Sequence, residues 1–185
     1  MEAARQKLSV RERSGRTLEQ RLAVRLPWFV ELWSRLLARL SPTSRLRQAL
    51  LLRAVQSGLE AYNRGDIEVV VLAFDPDVEF QAPREHGQEG TLGLQPTYRG
   101  HDGYRKFDAD WRSAWHALRM EPQELIDLGD RFLIIAQMTG RGEASGVSLS
   151  QNVAVLNTLN DAGKIMREQR YFDHSEALKA AGLSE

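Results

Sequence analysis

The stretch QELIDLGDRFLIIAQMTG, residues 123–140, decides the fold class of this chain. Two apolar runs flank Gly129-Asp130, a two-residue turn suited to a β-hairpin, so strands are expected over Gln123–Leu128 and Arg131–Gly140. Toward the C-terminus, Gly140-Arg141-Gly142 reads as a loop and Val147–Leu159 as a strand. Asn160–Gly163 then reads as a turn, Lys164–Asp173 as a strand and Ser175–Ala181 as a closing helix. Toward the N-terminus the apolar spacing becomes helical. Asp102–Leu118 places Tyr104, Phe107, Trp111, Trp115 and Leu118 on one side. Leu52, Val55, Leu59 and Tyr62 share the face of another helix, which Thr43 or Ser44 can cap and Gly65 can stop. Between these two helices lie a shorter one over Ile67–Phe74, capped by Asp66 and ended by Asp75-Pro76, then the short strand Val78-Glu79-Phe80, then an irregular loop over 82–98. Helices first and antiparallel strands afterwards indicate an α+β domain with its helices packed on one face of a curved sheet.

The chain has 185 residues, 25 basic and 25 acidic, and no cysteine, which removes disulfides, thiolate metal sites and cysteine nucleophiles. The neutral total is unevenly spread: residues 1–47 hold ten Arg and Lys7 against four Glu, a surplus of +7 that the rest of the chain offsets. An acidic body argues against nucleic acid as a partner, since affinity for a phosphate backbone comes largely from Lys and Arg. The expected division is a basic helical extension and linker over 1–43 and one domain over 44–185. Met1 to Gly15 alternates charges where a secretory signal would place an apolar run, so a cytoplasmic location is expected.

Within the extension, Leu18, Leu22, Leu26, Phe29, Leu32, Trp33, Leu36, Leu37 and Leu40 form a helical stripe beside Arg21, Arg25, Arg35 and Arg39, with Pro27 starting or kinking its second half. Glu31, Arg35 and Arg39 interrupt the stripe, which is too short to span a bilayer. It can pack on the body or on a second subunit; a membrane surface is open to the chain only through residues 18–40.

Six segments in order, GLEAYNRGD at 58–66, DPDVEF at 75–80, YRGHDGYRKF at 98–107, ELIDLGDR at 124–131, GRGEASGV at 140–147 and GKIMREQRYFDHSEALKAAGL at 163–183, resemble the SnoaL-like branch of the nuclear transport factor 2-like superfamily. The resemblance implies a cone-shaped curved antiparallel sheet packed against three N-terminal helices and enclosing a pocket, commonly dimeric, here with an extra amphipathic helix in front. Members of that superfamily include cyclases, isomerases, epoxide hydrolases and proteins of no known activity, so the fold does not choose a reaction. The positions that carry the family's carboxylates are filled here by Phe80 or Gln81 and by Ala154.

If the turn pairs Leu159 with Lys164, opposite residues sum to 323, which sets Ser150, Asn152 and Ala154 beside Asp173, Tyr171 and Gln169. The family's pocket-facing position at Ala154 then makes Asn152, Gln169, Tyr171 and Asp173 the pocket's polar groups. Asp173 can equally cap the last helix, and Asn152 and Tyr171 can bond each other. Trp111 and Trp115 can form an apolar pocket wall or belong to the core, and Arg141 can hold an anionic ligand group or a surface ion pair. His86, in the long loop, is a possible acid or base. The catalytic candidates are thus Asp173, Tyr171 and His86. The ligand-binding candidates are Asn152, Gln169, Tyr171, Trp111, Trp115 and Arg141. Four scattered His lack metal-ligand spacing, and no glycine loop joins a strand to a helix, so neither a metal nor a cofactor is expected. The expected function is the binding of a small apolar molecule by a homodimer. The alternatives are isomerase, cyclase or hydratase chemistry on a polyketide- or steroid-like substrate, and an interaction module tethered by its front helix.

Overall fold

The computed structural model describes residues 3–82, 94–143 and 146–183. Its helices are α1 Leu18–Arg25, α2 Pro27–Arg39, α3 Arg45–Arg64, α4 Ile67–Val70 (continued by a 3-10 turn, Val71–Ala73), α5 Gly100–Ala114 and α6 His174–Ala180. Its strands are β1 Ala4–Lys7, β2 Phe74–Gln81, β3 Thr97–Arg99, β4 Trp115–Asp127, β5 Arg131–Gly142, β6 Ser148–Leu159 and β7 Ile165–Tyr171. They form one curved, unclosed sheet in the order β1-β4-β5-β6-β7-β2-β3, with only β2 and β7 parallel. The α+β class therefore holds.

Each face of the sheet has its own apolar layer. Phe132, Ile134, Ala136 and Met138 of β5 and Val153 and Val155 of β6 share a core with Leu51, Val55 and Leu59 of α3 and Phe107 and Trp111 of α5. On the opposite face, Leu133, Ala154 and Leu156 pack with Ile126 and Leu128 against Ala177 of α6 and Ala181 just after it. Adjacent residues of a strand point to opposite faces, so one strand supplies both layers.

Pro27 is the first residue of α2, where its missing N–H costs nothing, and it separates α2 from α1 at Leu26. Gly65 ends α3 in the left-handed region, at φ 76°. Asp66 precedes α4 without capping it, because its carboxylate accepts from Arg16 and Arg64 instead.

Several elements differ from the sequence-based expectation; β2 begins at Phe74 and runs through Asp75-Pro76, and β3 falls in the span expected to be loop. Ala4–Lys7, with two of its four residues charged, forms an edge strand on Glu124–Asp127, helped by Arg5 beside Glu124. α5 stops at Ala114, and Trp115 opens β4 opposite Gly142. Helical spacing through Trp111, Trp115 and Leu118 yields there to the alternation of buried Leu118, Met120 and Pro122. Gly140, Arg141 and Gly142 are not a loop but the end of β5, paired with β6 or β4. The last hairpin pairs Ala154 with Tyr171 and Val155 with Arg170, so opposite residues sum to 325. The turn is one residue wider than expected, with the Asn160 side chain accepting from the Ala162 and Lys164 backbone N–H groups, and a register shift between Thr158 and Leu159 adds the second residue.

The basic front is fastened to the body at several points. Arg47 is buried and donates from Nε and Nη2 to Asp127 at 2.7 and 3.0 Å, from Nη1 to the Leu37 and Leu40 carbonyls, and from Nη2 to the Gly129 carbonyl. One guanidinium thus ties the end of α2 to α3 and to the β4–β5 turn. Gln20, also buried, donates to the Ser57 carbonyl and hydroxyl, and Arg16 grips Asp66 with two bonds of 2.7 Å. Gly163 lies against the Ser34 carbonyl of α2 so closely that a Cβ would collide with it.

Candidate functional site

α1 and α2 roof an apolar cavity of about 480 Å³. Leu22 and Ala23 of α1 and Phe29, Val30 and Trp33 of α2 form the roof, while Leu51, Val55 and Gly58 of α3 form one wall. Phe132, Leu159 and Ile165, at the ends of β5, β6 and β7, close the floor. Polar side chains sit at the margin: Glu19 accepts from Arg53 at 2.9 Å, and Gln20 spends its amide on Ser57, Arg64 and the Thr17 backbone. No unpaired charge points inward, so the space suits a molecule held by burial rather than by hydrogen bonds.

A second interior lies between the sheet and α5, and it is packed. Phe80 of β2 lies tilted against Phe107, ring centres 4.1 Å apart, and Phe107 also meets Tyr98, Tyr104 and Trp111. Beneath these rings β7 contributes Glu168 and Arg170, two apart on the strand and hence on one face, joined at 3.0 Å. The guanidinium carbon lies 5.0 to 5.5 Å from the ring centres of Phe107, Phe80 and Tyr62. Burial raises the Glu168 carboxyl above its ordinary range, with Arg170 opposing the rise. Burial also works against the charged Arg170, but Glu168, Tyr62 and Tyr104 outweigh it and hold the guanidinium charged. Buried Arg170 Nη1, Trp111 Nε1 and Asn157 Oδ1 have no hydrogen-bond partner among the described residues.

The residues expected at a pocket are dispersed. Asn152 is exposed on β6, opposite Gln137. Gln169 donates to Gln81 at 2.8 Å, and Tyr171 packs with the layer under α6. Their strand positions share the face of Ala154, opposite the one that bears Val155, Glu168 and Arg170. The expected face is therefore reversed: Ala154 lies under α6, and the residues one step along the strands face α3 and α5. Asp173 is the N-cap of α6, accepting from the Ser175 and Glu176 N–H groups. Trp111 is buried in the ring cluster, and Trp115 is half-buried at the start of β4. Arg141 donates to the Gly146 carbonyl at 3.0 Å. His86 lies outside the described residues. Among the described residues no three His, Asp or Glu side chains are grouped as a metal site would require.

Sequence reasoning missed both the cavity and the Glu168–Arg170 pair. The pair had one visible signal, opposite charges two apart on a strand. The cavity had none, because its roof belongs to the extension and its walls to helix positions that read simply as core.

A family model described as a SnoaL-like domain matches residues 55–168. The chain resembles the crystal structure of TerC co-crystallised with polyporic acid at 26% identity and a TM-score of 0.57, over 69% of this chain and 94% of that one. An NTF2-like protein of unknown function from Burkholderia pseudomallei matches at 23% identity and a TM-score of 0.58, over 69% and 93%. The epoxide hydrolase/cyclase-like enzyme SalBIII, of polyether salinomycin pyran ring formation, matches at 16% and 0.52, over 66% and 90%. No curated protein matches. At these identities the last two likenesses speak to fold alone.

Proposed function

Since the chain belongs to the SnoaL-like family, we propose that it binds a small, largely apolar molecule in the cavity beneath α1 and α2. The observation that carries this reading is the cavity itself: about 480 Å³, walled mainly by aliphatic and aromatic side chains, with Gln20 bonded to Ser57 and Glu19 to Arg53. Proteins seldom keep that much apolar space without a use for it, since interiors otherwise pack to crystal-like density. The co-crystal of TerC with polyporic acid supports a small organic molecule as the class of ligand.

The test is titration with N-phenyl-1-naphthylamine, an apolar fluorescent probe. Gly58 faces open space on α3, with no atom within 4 Å of where its Cβ would lie. Gly58→Leu therefore fills the cavity without breaking the helix. Saturable binding to the native chain and at least a tenfold loss in Gly58→Leu are expected. Equal binding to both would refute the assignment.

Glu168 favours a second reading, acid–base catalysis on the packed side, because burial holds its carboxyl above the ordinary range beside a fixed cation. This reading requires the ring cluster to open for a substrate. If it does, Glu168→Gln abolishes turnover of a candidate substrate while leaving probe binding beneath α1 and α2 unchanged.

A further inference from the structure

Among the described residues, seven of the ten large apolar side chains left exposed lie between Leu18 and Leu36. They are ordered: Leu18, Leu22 and Leu26 recur every fourth residue through α1 and its end, and Trp28, Leu32 and Leu36 do so along α2. Both helices are thus apolar on two sides, one turned to the cavity and core, the other to solvent. Leu18 is 77% exposed, Trp28 59% and Leu32 58%, a grouping that a soluble surface does not keep without purpose.

The charges select the occupant. Arg5, Arg13, Arg16 and Arg47 of the front are matched with Glu124, Glu60, Asp66 and Asp127 of the body. Arg21, Arg25, Arg35 and Arg39, on α1 and α2, are exposed and have no carboxylate partner among the described residues. A second copy docked here through a twofold axis would bring like charges together, at a cost to the interface. An acidic lipid surface would take the leucines and tryptophan into its interfacial layer and the four guanidiniums onto its phosphates. Neither helix is long and apolar enough to cross a membrane, so the pair would lie along it.

We propose that α1 and α2 dock this protein on an anionic phospholipid surface. The docking does not depend on what fills the cavity, although Leu22 and Trp33 belong both to the cavity wall and to the exposed stripe. The cavity therefore opens on the docking face, where an apolar ligand could pass from the lipid without crossing water.

The test is co-sedimentation of the full chain with vesicles of phosphatidylcholine alone and of phosphatidylcholine mixed with phosphatidylserine. Binding only to the mixed vesicles, weakening as salt rises, is expected. The triple variant Trp28→Ala, Leu32→Ala, Leu36→Ala should lose at least about tenfold in partitioning, since each side chain forfeits its apolar transfer. Replacing Arg21, Arg25, Arg35 and Arg39 by Ala, which leaves the apolar stripe intact, should lose about fivefold per arginine. Circular dichroism checks the fold of each variant. Equal partitioning of the native chain and both variants, no preference for the acidic vesicles, or a dimer in solution that the triple variant dissociates while vesicles are ignored would each overturn the proposal.

Discussion

The space beneath α1 and α2 and the space beneath α5 are both bounded by α3 and the sheet, yet they are built in opposite ways. Beneath α5, five aromatic rings and an ion pair fill the volume, and Phe80, Phe107 and Tyr104 are shut off from solvent. Beneath α1 and α2, side chains of similar character surround a void. The difference is who supplies the second wall. α5 packs its rings directly on the sheet, whereas α1 and α2 are tied to α3 by polar contacts, Gln20 on Ser57 and Arg47 on the Leu37 and Leu40 carbonyls. Ties that fix a roof without filling the room below it leave a cavity. Packing that fills the room makes a core.

The largest effects should come from breaking these two devices. Asp127→Ala leaves Arg47 buried without its counter-ion and should cost about 3–5 kcal/mol in urea unfolding, while also freeing the end of α2 and ending probe binding. Phe107→Ala empties the packed side at a similar cost of about 3–5 kcal/mol, but should leave probe binding beneath α1 and α2 intact. Loss of binding in the first variant and its survival in the second would separate roof from core.

Gly58→Leu should move stability little, by no more than about 1 kcal/mol and in the stabilising direction, because a helix former replaces Gly and finds open space. Destabilisation beyond that would mean that the void is smaller than the structure shows. The smallest effect concerns pH. Hydrogen bonds from Arg16, then Arg64, hold the Asp66 carboxyl below its ordinary range. The stability it adds is therefore complete above about pH 4, its unfolded value, and is lost as pH falls through the lower folded value. Arg16→Ala should narrow the drop in unfolding midpoint between about pH 5 and pH 2; an unchanged drop would leave Arg16 without a role in tying the front to α4.

The class and most of the element order were readable because helical spacing dominates the first half of the chain and alternating spacing the second, and because Gly65, Gly129 and Asn160–Gly163 punctuate the chain. The site was not readable, for reasons that particular residues explain. β6 is apolar on both faces, with Val153 and Val155 on one and Ala154 and Leu156 on the other, so hydrophobicity could not say which face meets the helices. β7 is polar on both, with Glu168 and Arg170 set against Gln169 and Tyr171, so it gave no help either. The face was set instead by analogy at Ala154, and it came out reversed. Ala4–Lys7 carried no strand signal because its pairing comes from the edge of β4 rather than from its own side chains. The extension read as a single apolar stripe, and that it is apolar on two sides emerges only once Phe132, Leu159 and Ile165 are seen across from it.

The most direct measurement is a crystal structure of the protein with N-phenyl-1-naphthylamine bound. Ligand density among Phe29, Trp33, Leu51, Phe132 and Ile165, with the rings of Phe80 and Phe107 still in contact, is the predicted result. Density between β7 and α5, with those rings displaced and the space beneath α1 and α2 left empty, would contradict it.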